Sequence, residues 1–172
     1  MDDMDRRLLS ALRDCGRDRR VATAARALSW VGEHGALWLA AGLVGAAVDR
    51  ERRGAWLRGT ALTGGAHLAS MGVKRVVRRP RPGAEEGVEP LVRTAGRHSF
   101  PSSHAASAAA AAVAYGELRP AGARLVPPVA AAMCVSRMVV GVHYPSDVAA
   151  GAALGALTVR LGARWMNGGA AR

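Results

Sequence analysis

Aromatic side chains are scarce in this chain, 4% of its 172 residues, and they are not interleaved with the basic ones. A stacking platform for single-stranded nucleic acid needs that interleaving, so its absence counts against one. Cysteine is nearly as rare. Cys15 and Cys134 lie far apart with no CxxC or metal-like spacing, which excludes a disulfide framework and a cysteine metal site and leaves two unpaired thiols. The opening "MDDMDRR" is acidic and precedes no early apolar run, so no cleavable signal peptide is expected. No stretch alternates with the two-residue period of a strand, and no repeat or linker interrupts the chain. Large aliphatic residues are also sparse, because the 50% that is hydrophobic is mostly alanine.

What is abundant is positive charge. The formal net charge is +11, from 24 basic residues against 13 acidic ones, and Lys74 is the one lysine among the arginines. Such an excess implies an anionic partner: nucleic acid, anionic lipid or a phosphorylated substrate. Met4, Leu8, Leu9 and Leu12 recur at helical spacing, which predicts an amphipathic segment over residues 1–20 lying on a surface such as a membrane. Five apolar segments follow, over residues 27–48, 56–73, 102–118, 125–142 and 146–163. Each approaches the ~20 residues that cross a bilayer. The expected fold is therefore all-α: a membrane-embedded bundle of about five transmembrane helices over residues 21–172, plus the N-terminal amphipathic helix. Glu33 and His34 are polar residues early in the first span, and His67 lies inside the second; all three read as packed or interfacial. Pro127 and Pro128 are expected in the first turn of the fourth. In the fifth, Gly151 and Gly155 form a small-xxx-small pattern that lets helices approach closely.

The stretch "HSFPSSHAASAAAAAV" sets Pro101, Ser102, Ser103 and His104 at the mouth of an alanine helix. Helix starts present free N–H groups and partial positive charge, which suit an anion. Two further polar clusters stand at segment ends. One is "KRVVRRPRP", with Lys74 and Arg81; the other is "SRMVVGVHYPSD", with Ser136, Arg137, His143 and Asp147. Helices that alternate across a membrane bring all three clusters to one face. Lys74, Arg81 and Arg137 would grip phosphate oxygens. Two histidines permit one to attack phosphorus while the other protonates the leaving oxygen. Asp147 can orient His143, as a carboxylate does in a catalytic triad.

At these residues the chain resembles the type-2 phosphatidic acid phosphatase family, whose members share a pocket with vanadium haloperoxidases. The family pattern is Lys, six residues, Arg-Pro; then Pro-Ser-Gly-His; then Ser-Arg, five residues, His, three residues, Asp. Every spacing is kept between Lys74 and Asp147, with Ser103 in place of the glycine. The resemblance implies that His143 is the nucleophile, His104 the general acid and Asp147 the orienting group. Lys74, Arg81, Ser102, Ser103 and Arg137 would hold the phosphate, with no metal and no cofactor.

The function so implied is a membrane lipid phosphatase that hydrolyses a phosphate monoester or pyrophosphate on a prenyl-linked or glycerolipid substrate through a phosphohistidine. The alternatives are a haloperoxidase in the same pocket and a basic nucleic-acid-binding helical protein. The apolar segments argue against the first. The second explains the charge but not the spacings, so no nucleic-acid partner is expected. The expected location is the plasma or inner membrane. Arg6, Arg7, Arg13, Arg17, Arg19 and Arg20 outweigh Arg50, Arg52, Arg53, Arg119 and Arg124, which favours a cytoplasmic site and makes Glu86 a natural labelling position for sidedness. Neither the head group nor the oligomeric state follows from these residues.

Overall fold

The computed structural model describes residues 3–83, 89–94 and 96–168, the side chain of His34 excepted; Glu86 lies outside them. Seven α-helices follow one another, and among the described residues the one trace of β structure is an isolated bridge between Pro80 and His98. Helix α1 (Asp3–Cys15) opens on Asp3 and Asp5 and closes on Arg13, as the helix dipole prefers. Helix α2 (Arg19–Val31) is capped by Asp18, whose carboxylate accepts from the Arg20 and Val21 amides at 2.7 and 3.1 Å. Helices α3 (Ala36–Val48), α4 (Arg53–Val77), α5 (Ser103–Leu118), α6 (Pro120–Val139) and α7 (Pro145–Met166) complete the bundle.

Three expectations need correction. The apolar run 27–48 is not one helix. It is divided into α2 and α3 by a 3-10 turn at Glu33–Gly35, and the two halves are bent by 60°. Gly35 sits at φ +74°, a conformation that ends a helix and that a side chain resists. Second, Pro127 and Pro128 lie inside α6 rather than in its first turn. Arg119 is extended, as a residue before proline prefers, so the helix begins at Pro120. Both later prolines are exposed, on the outer side of the bundle. Third, α1 does not simply rest on a surface. Leu9 is 2% exposed and Asp5 is buried against the protein, whereas Met4 and Leu8 point outward.

Helix α5 is the axis of the bundle and packs on α4, α6 and α7. Ala105, Ala106, Ala108, Ala110, Ala111 and Ala114 are wholly buried, so the alanine run is an all-round contact surface that admits three neighbours at close range. The closest approach is that of α7. A Cβ on Gly151 would stand 2.3 Å from the Ser102 carbonyl oxygen, and one on Gly155 would stand 2.0 Å from that of Ala106. At the end of the bundle away from the α5 start, Asp49 ties α3 to α6 by accepting both Arg119 donors at 2.6 Å, and it also accepts from the Trp56 indole at 3.1 Å.

Large apolar side chains point outward on several helices: Trp30, Val44, Leu68, Leu125 and Leu161 are each more than half exposed. A surface of this kind is suited to lipid rather than water. No single helix among the described residues is both long and apolar enough to mark a span by composition; α2 and α3 pass that test together. Four helices are shorter than 18 residues, and in α4, α6 and α7 glycine, proline and arginine dilute the apolar side chains.

Gly155→Ala should destabilise the protein by about 1–3 kcal/mol or more, because its methyl group meets a backbone carbonyl that cannot move aside. Gly65, with nothing within 4 Å of its would-be Cβ, should tolerate alanine with a gain of about 0.5–1 kcal/mol from helix entropy. Thermal unfolding of both variants in detergent measures the contrast.

Candidate active site

The α5–α7 contact fixes the site from behind. The Ser102 amide donates to the Asp147 carbonyl at 2.9 Å, joining the start of α5 to the start of α7. The Ser102 hydroxyl oxygen caps α5, accepting from the Ala105 amide at 3.4 Å. Asp147 caps α7 in turn, its Oδ2 accepting from the Tyr144 amide at 2.9 Å. Between α6 and α7 a short turn carries His143. The chain after α4 folds back so that the Ser99 amide and hydroxyl donate to the Arg79 and Pro80 carbonyls, at 2.8 and 2.9 Å. Lys74 donates from the last turn of α4 to the carbonyls of Ser99 and Pro101, at 3.0 and 2.6 Å. Two of its three N–H groups therefore hold the approach to α5 in place.

A cavity of about 290 Å³ opens among these elements, and Lys74, Arg81, Ser103, His104, Arg137 and His143 all line it. Ser102 and Asp147 do not; the first is a cap and the second stands behind His143. The Ser103 hydroxyl and the Arg137 Nε are buried without a hydrogen-bond partner among the described residues. His104 Nε2 lies 3.4 Å from the Ser29 carbonyl on α2, which also borders the cavity. Among the described residues no group of three or more His, Cys, Asp or Glu side chains converges as metal ligands.

The tautomer of His143 follows from its neighbours. Arg81 Nη1 lies 3.3 Å from His143 Nε2 and donates also to the Val142 carbonyl at 2.9 Å. A guanidinium can only donate, so Nε2 carries the lone pair and Nδ1 the proton. Nδ1 faces Asp147 Oδ2 at 3.6 Å, just beyond hydrogen-bond length. Burial, reinforced by the positive charges of Arg81, Lys74 and Arg137, holds the imidazole well below its ordinary range, so it is neutral. A neutral imidazole with an unprotonated Nε2 at the cavity has the form a nucleophile needs.

Sequence reasoning missed several residues here. Arg79 joins Asp147 to α1, yet in "RRPRP" nothing distinguishes it from Arg78, which ends α4 at φ 53°. Arg26, Ser29 and Glu33 line the cavity from α2 and its following turn, and His67 lines it from α4. The motif carries no signal for the first three, because they come from another part of the chain.

A helical bundle that gathers Lys74, Arg81, Arg137, His104 and a carboxylate-backed His143 at one site is built to receive a phosphate group. Residues 55–169 match the family model of the PAP2 superfamily, and the chain belongs to that superfamily. It is 48% identical over 133 residues to a decaprenylphosphoryl-5-phosphoribose phosphatase of Mycolicibacterium smegmatis, covering 76% of this chain and 71% of that one. The protein of the same name from Mycobacterium tuberculosis H37Rv is 46% identical over 134 residues, covering 77% and 73%. The fold is similar to that of Aquifex aeolicus LpxE, with TM-score 0.77 and 21% identity over 95% of this chain and 96% of that one. It is also similar to a transmembrane PAP2-type phosphatidylglycerolphosphate phosphatase from Bacillus subtilis, with TM-score 0.60 and 22% identity over 95% and 94%. The chain is thus an all-α membrane bundle of the PAP2 kind.

The lowered His143 pKa has a consequence for stability. Below the ordinary imidazole value of about 6.5 the unfolded chain takes up a proton that the folded chain refuses, so stability falls on acidification, by at most about 1.4 kcal/mol per pH unit. Thermal unfolding at pH 7 and pH 5 should show a larger loss for the native protein than for His143→Ala, which lacks this group.

Proposed function

We propose that this enzyme, a membrane lipid phosphatase, removes the terminal phosphate from a polyprenyl-phosphoryl sugar phosphate. The observation that carries the reading is the mixed chemistry of one cavity. Besides Lys74, Arg81 and Arg137 it is lined by Glu33, the unpartnered Ser29 hydroxyl, the further cations Arg26 and Arg93, and the apolar Trp30 and Met71. A glycerolipid phosphate has little to offer a carboxylate in such a place. A sugar provides hydroxyls to Glu33 and Ser29, a second phosphate suits Arg26 and Arg93, and a prenyl chain suits Trp30 and Met71. The names of the relatives point to the same substrate class.

In the reaction His143 Nε2 attacks phosphorus as the bond from phosphorus to the sugar oxygen breaks, and His104 gives that oxygen its proton. Asp147 faces the positive charge that appears on the phosphorylated imidazole. Water then attacks the phosphohistidine, yielding its proton to His104, and inorganic phosphate departs. Lys74, Arg81, Arg137 and the Ser103 hydroxyl hold the phosphate oxygens throughout, while Ser102 fixes the helix start that carries His104. Charge that builds on those oxygens is met by donors already in place, so the transition state is stabilised without reorganisation.

Purified protein in detergent should release phosphate from a prenylphosphoryl sugar phosphate faster than from phosphatidic acid or a simple prenyl phosphate, and should do so in excess EDTA. Equal rates on all three would refute the substrate assignment; activity lost to EDTA and restored by magnesium would refute the cation-only site. His143→Ala should give no acid-labile phosphoenzyme. His104→Ala should still form one from p-nitrophenyl phosphate, whose anion leaves unaided, while losing about 10² to 10⁴-fold on the lipid. Label trapped on His143→Ala but absent from His104→Ala reverses the two roles.

In this reading the N-terminal arginines favour the cytoplasmic side of the plasma or inner membrane for the site. Cys15, exposed at the end of α1, reports it directly. In a Cys134→Ala background an impermeant maleimide should label Cys15 only after lysis; labelling in intact cells puts the site outside.

A further inference from the structure

Helix α1 precedes the residues matched by the superfamily, yet it reaches the catalytic turn. Asp5 Oδ1 accepts from the Ser146 amide at 3.0 Å and Oδ2 from the Ser146 hydroxyl. Oδ2 also receives Arg79 Nη2 at 2.9 Å. The other end of the same guanidinium, Nη1, donates to Asp147 Oδ1 at 2.9 Å and to the Ser146 hydroxyl at 2.7 Å. Its Cζ lies 4.2 Å from the centre of the Tyr144 ring, which fixes its plane. From these contacts we infer that Asp5 is a positioning residue of the phosphatase, holding Arg79 so that Arg79 holds Asp147 against His143, and that the site is incomplete without α1. The inference rests on the reading of His143 as nucleophile and Asp147 as its support.

Two physical arguments carry it. The first is geometric. Asp147 has one oxygen on the Tyr144 amide, facing His143, and the other on Arg79. Its rotation is therefore set by where Arg79 stands, and Arg79 is set from its far side by Asp5. Arg79 and Asp5 keep only 19% and 11% of their side chains exposed, and Asp147 none, so this is not the solvated ion pair that contributes little. The second is charge. Asp147 with Arg79 alone would form a neutral pair, and the negative charge that should face a phosphorylated His143 would be cancelled. Asp5 adds a second carboxylate to one guanidinium and returns a net negative charge to the group. Asp5 is ionised for this purpose: burial pushes its carboxyl up, but the Ser146 and Arg79 hydrogen bonds outweigh it and hold the group below the usual range.

The test uses the full chain in detergent with a lipid phosphate substrate, counting active sites by vanadate binding so that unfolded protein does not enter the rate. Asp147→Asn should depress kcat strongly. Asp5→Asn, which keeps the shape and loses the charge, should lower kcat roughly tenfold, the weight of one charge acting at ~10 Å through an effective dielectric of ~20. KM should stay within about twofold, since no phosphate contact is lost. Asp5→Glu should restore most of the rate. Where Asp5→Asn does not fold, Ser146→Ala removes part of the same network and should give a smaller fall in kcat at unchanged KM. A native kcat per active site in Asp5→Asn, or in Ser146→Ala where that stands in, beside an impaired Asp147→Asn overturns the role of Asp5. A native kcat in Asp147→Asn instead overturns the His143–Asp147 reading, and the role of Asp5 with it.

Discussion

The contact between α5 and α7 is the constraint on which the rest of the molecule depends. Two glycines one turn apart let the α7 backbone sit against the carbonyls of Ser102 and Ala106, closer than any Cβ would allow. That approach makes the Ser102–Asp147 backbone bond, and with it the relative placement of the two helix starts. His104 rides on one of them and His143 immediately precedes the other. Alanine on α5 serves the same end, because a larger side chain anywhere in its buried run would push a neighbouring helix outward and separate the two histidines.

Electrostatics imposes the next condition. Lys74, Arg81 and Arg137 face one cavity, where like charges repel and desolvation is costly. Protein groups compensate them only in part. Lys74 and Arg81 each donate to two backbone carbonyls, which lend partial charge and no net charge. Arg137 keeps an unpartnered Nε, with Glu33 as a distant counter-charge. The site thus carries an uncompensated positive field, and a phosphate dianion supplies what the fold withholds. Burial, with the same field added to it, keeps His143 neutral until phosphorus is attacked, so the charge cluster that binds the substrate also helps preserve its nucleophile.

Much of this is legible in the sequence, for a physical reason. Lys74, Arg81, His104, Arg137 and His143 lie at helix ends, where register and direction are fixed by a few residues on either side, so their spacing predicts convergence. Apolar runs likewise give the long helices. What is not legible depends on a partner elsewhere in the chain. Gly35 breaks a run that hydropathy reads as continuous, because hydropathy carries no information on φ. Pro127 and Pro128 look like a helix start, yet Pro120 is the better one and their missing donors fall on an exposed side. Ser29 and Glu33 gain meaning only when α2 ends beside His104.

Helix α1 is the sharpest case, because its sequence reads as an amphipathic surface helix and the structure gives its inner side a second task. Met4 and Leu8 keep an outward apolar side, while Asp5 and Leu9 turn inward. A helix in that position keeps an apolar side outward and sets its other side against the turn behind His143. An acidic residue among apolar neighbours would ordinarily weaken a surface-seeking helix; Asp5 instead finds Arg79 and Ser146, and its burial is compensated by the charge and donors they provide. The helix that the motif leaves out is therefore tied into the same hydrogen-bonded network as Asp147, and displacing α1 from the bundle would loosen that network next to the reacting imidazole.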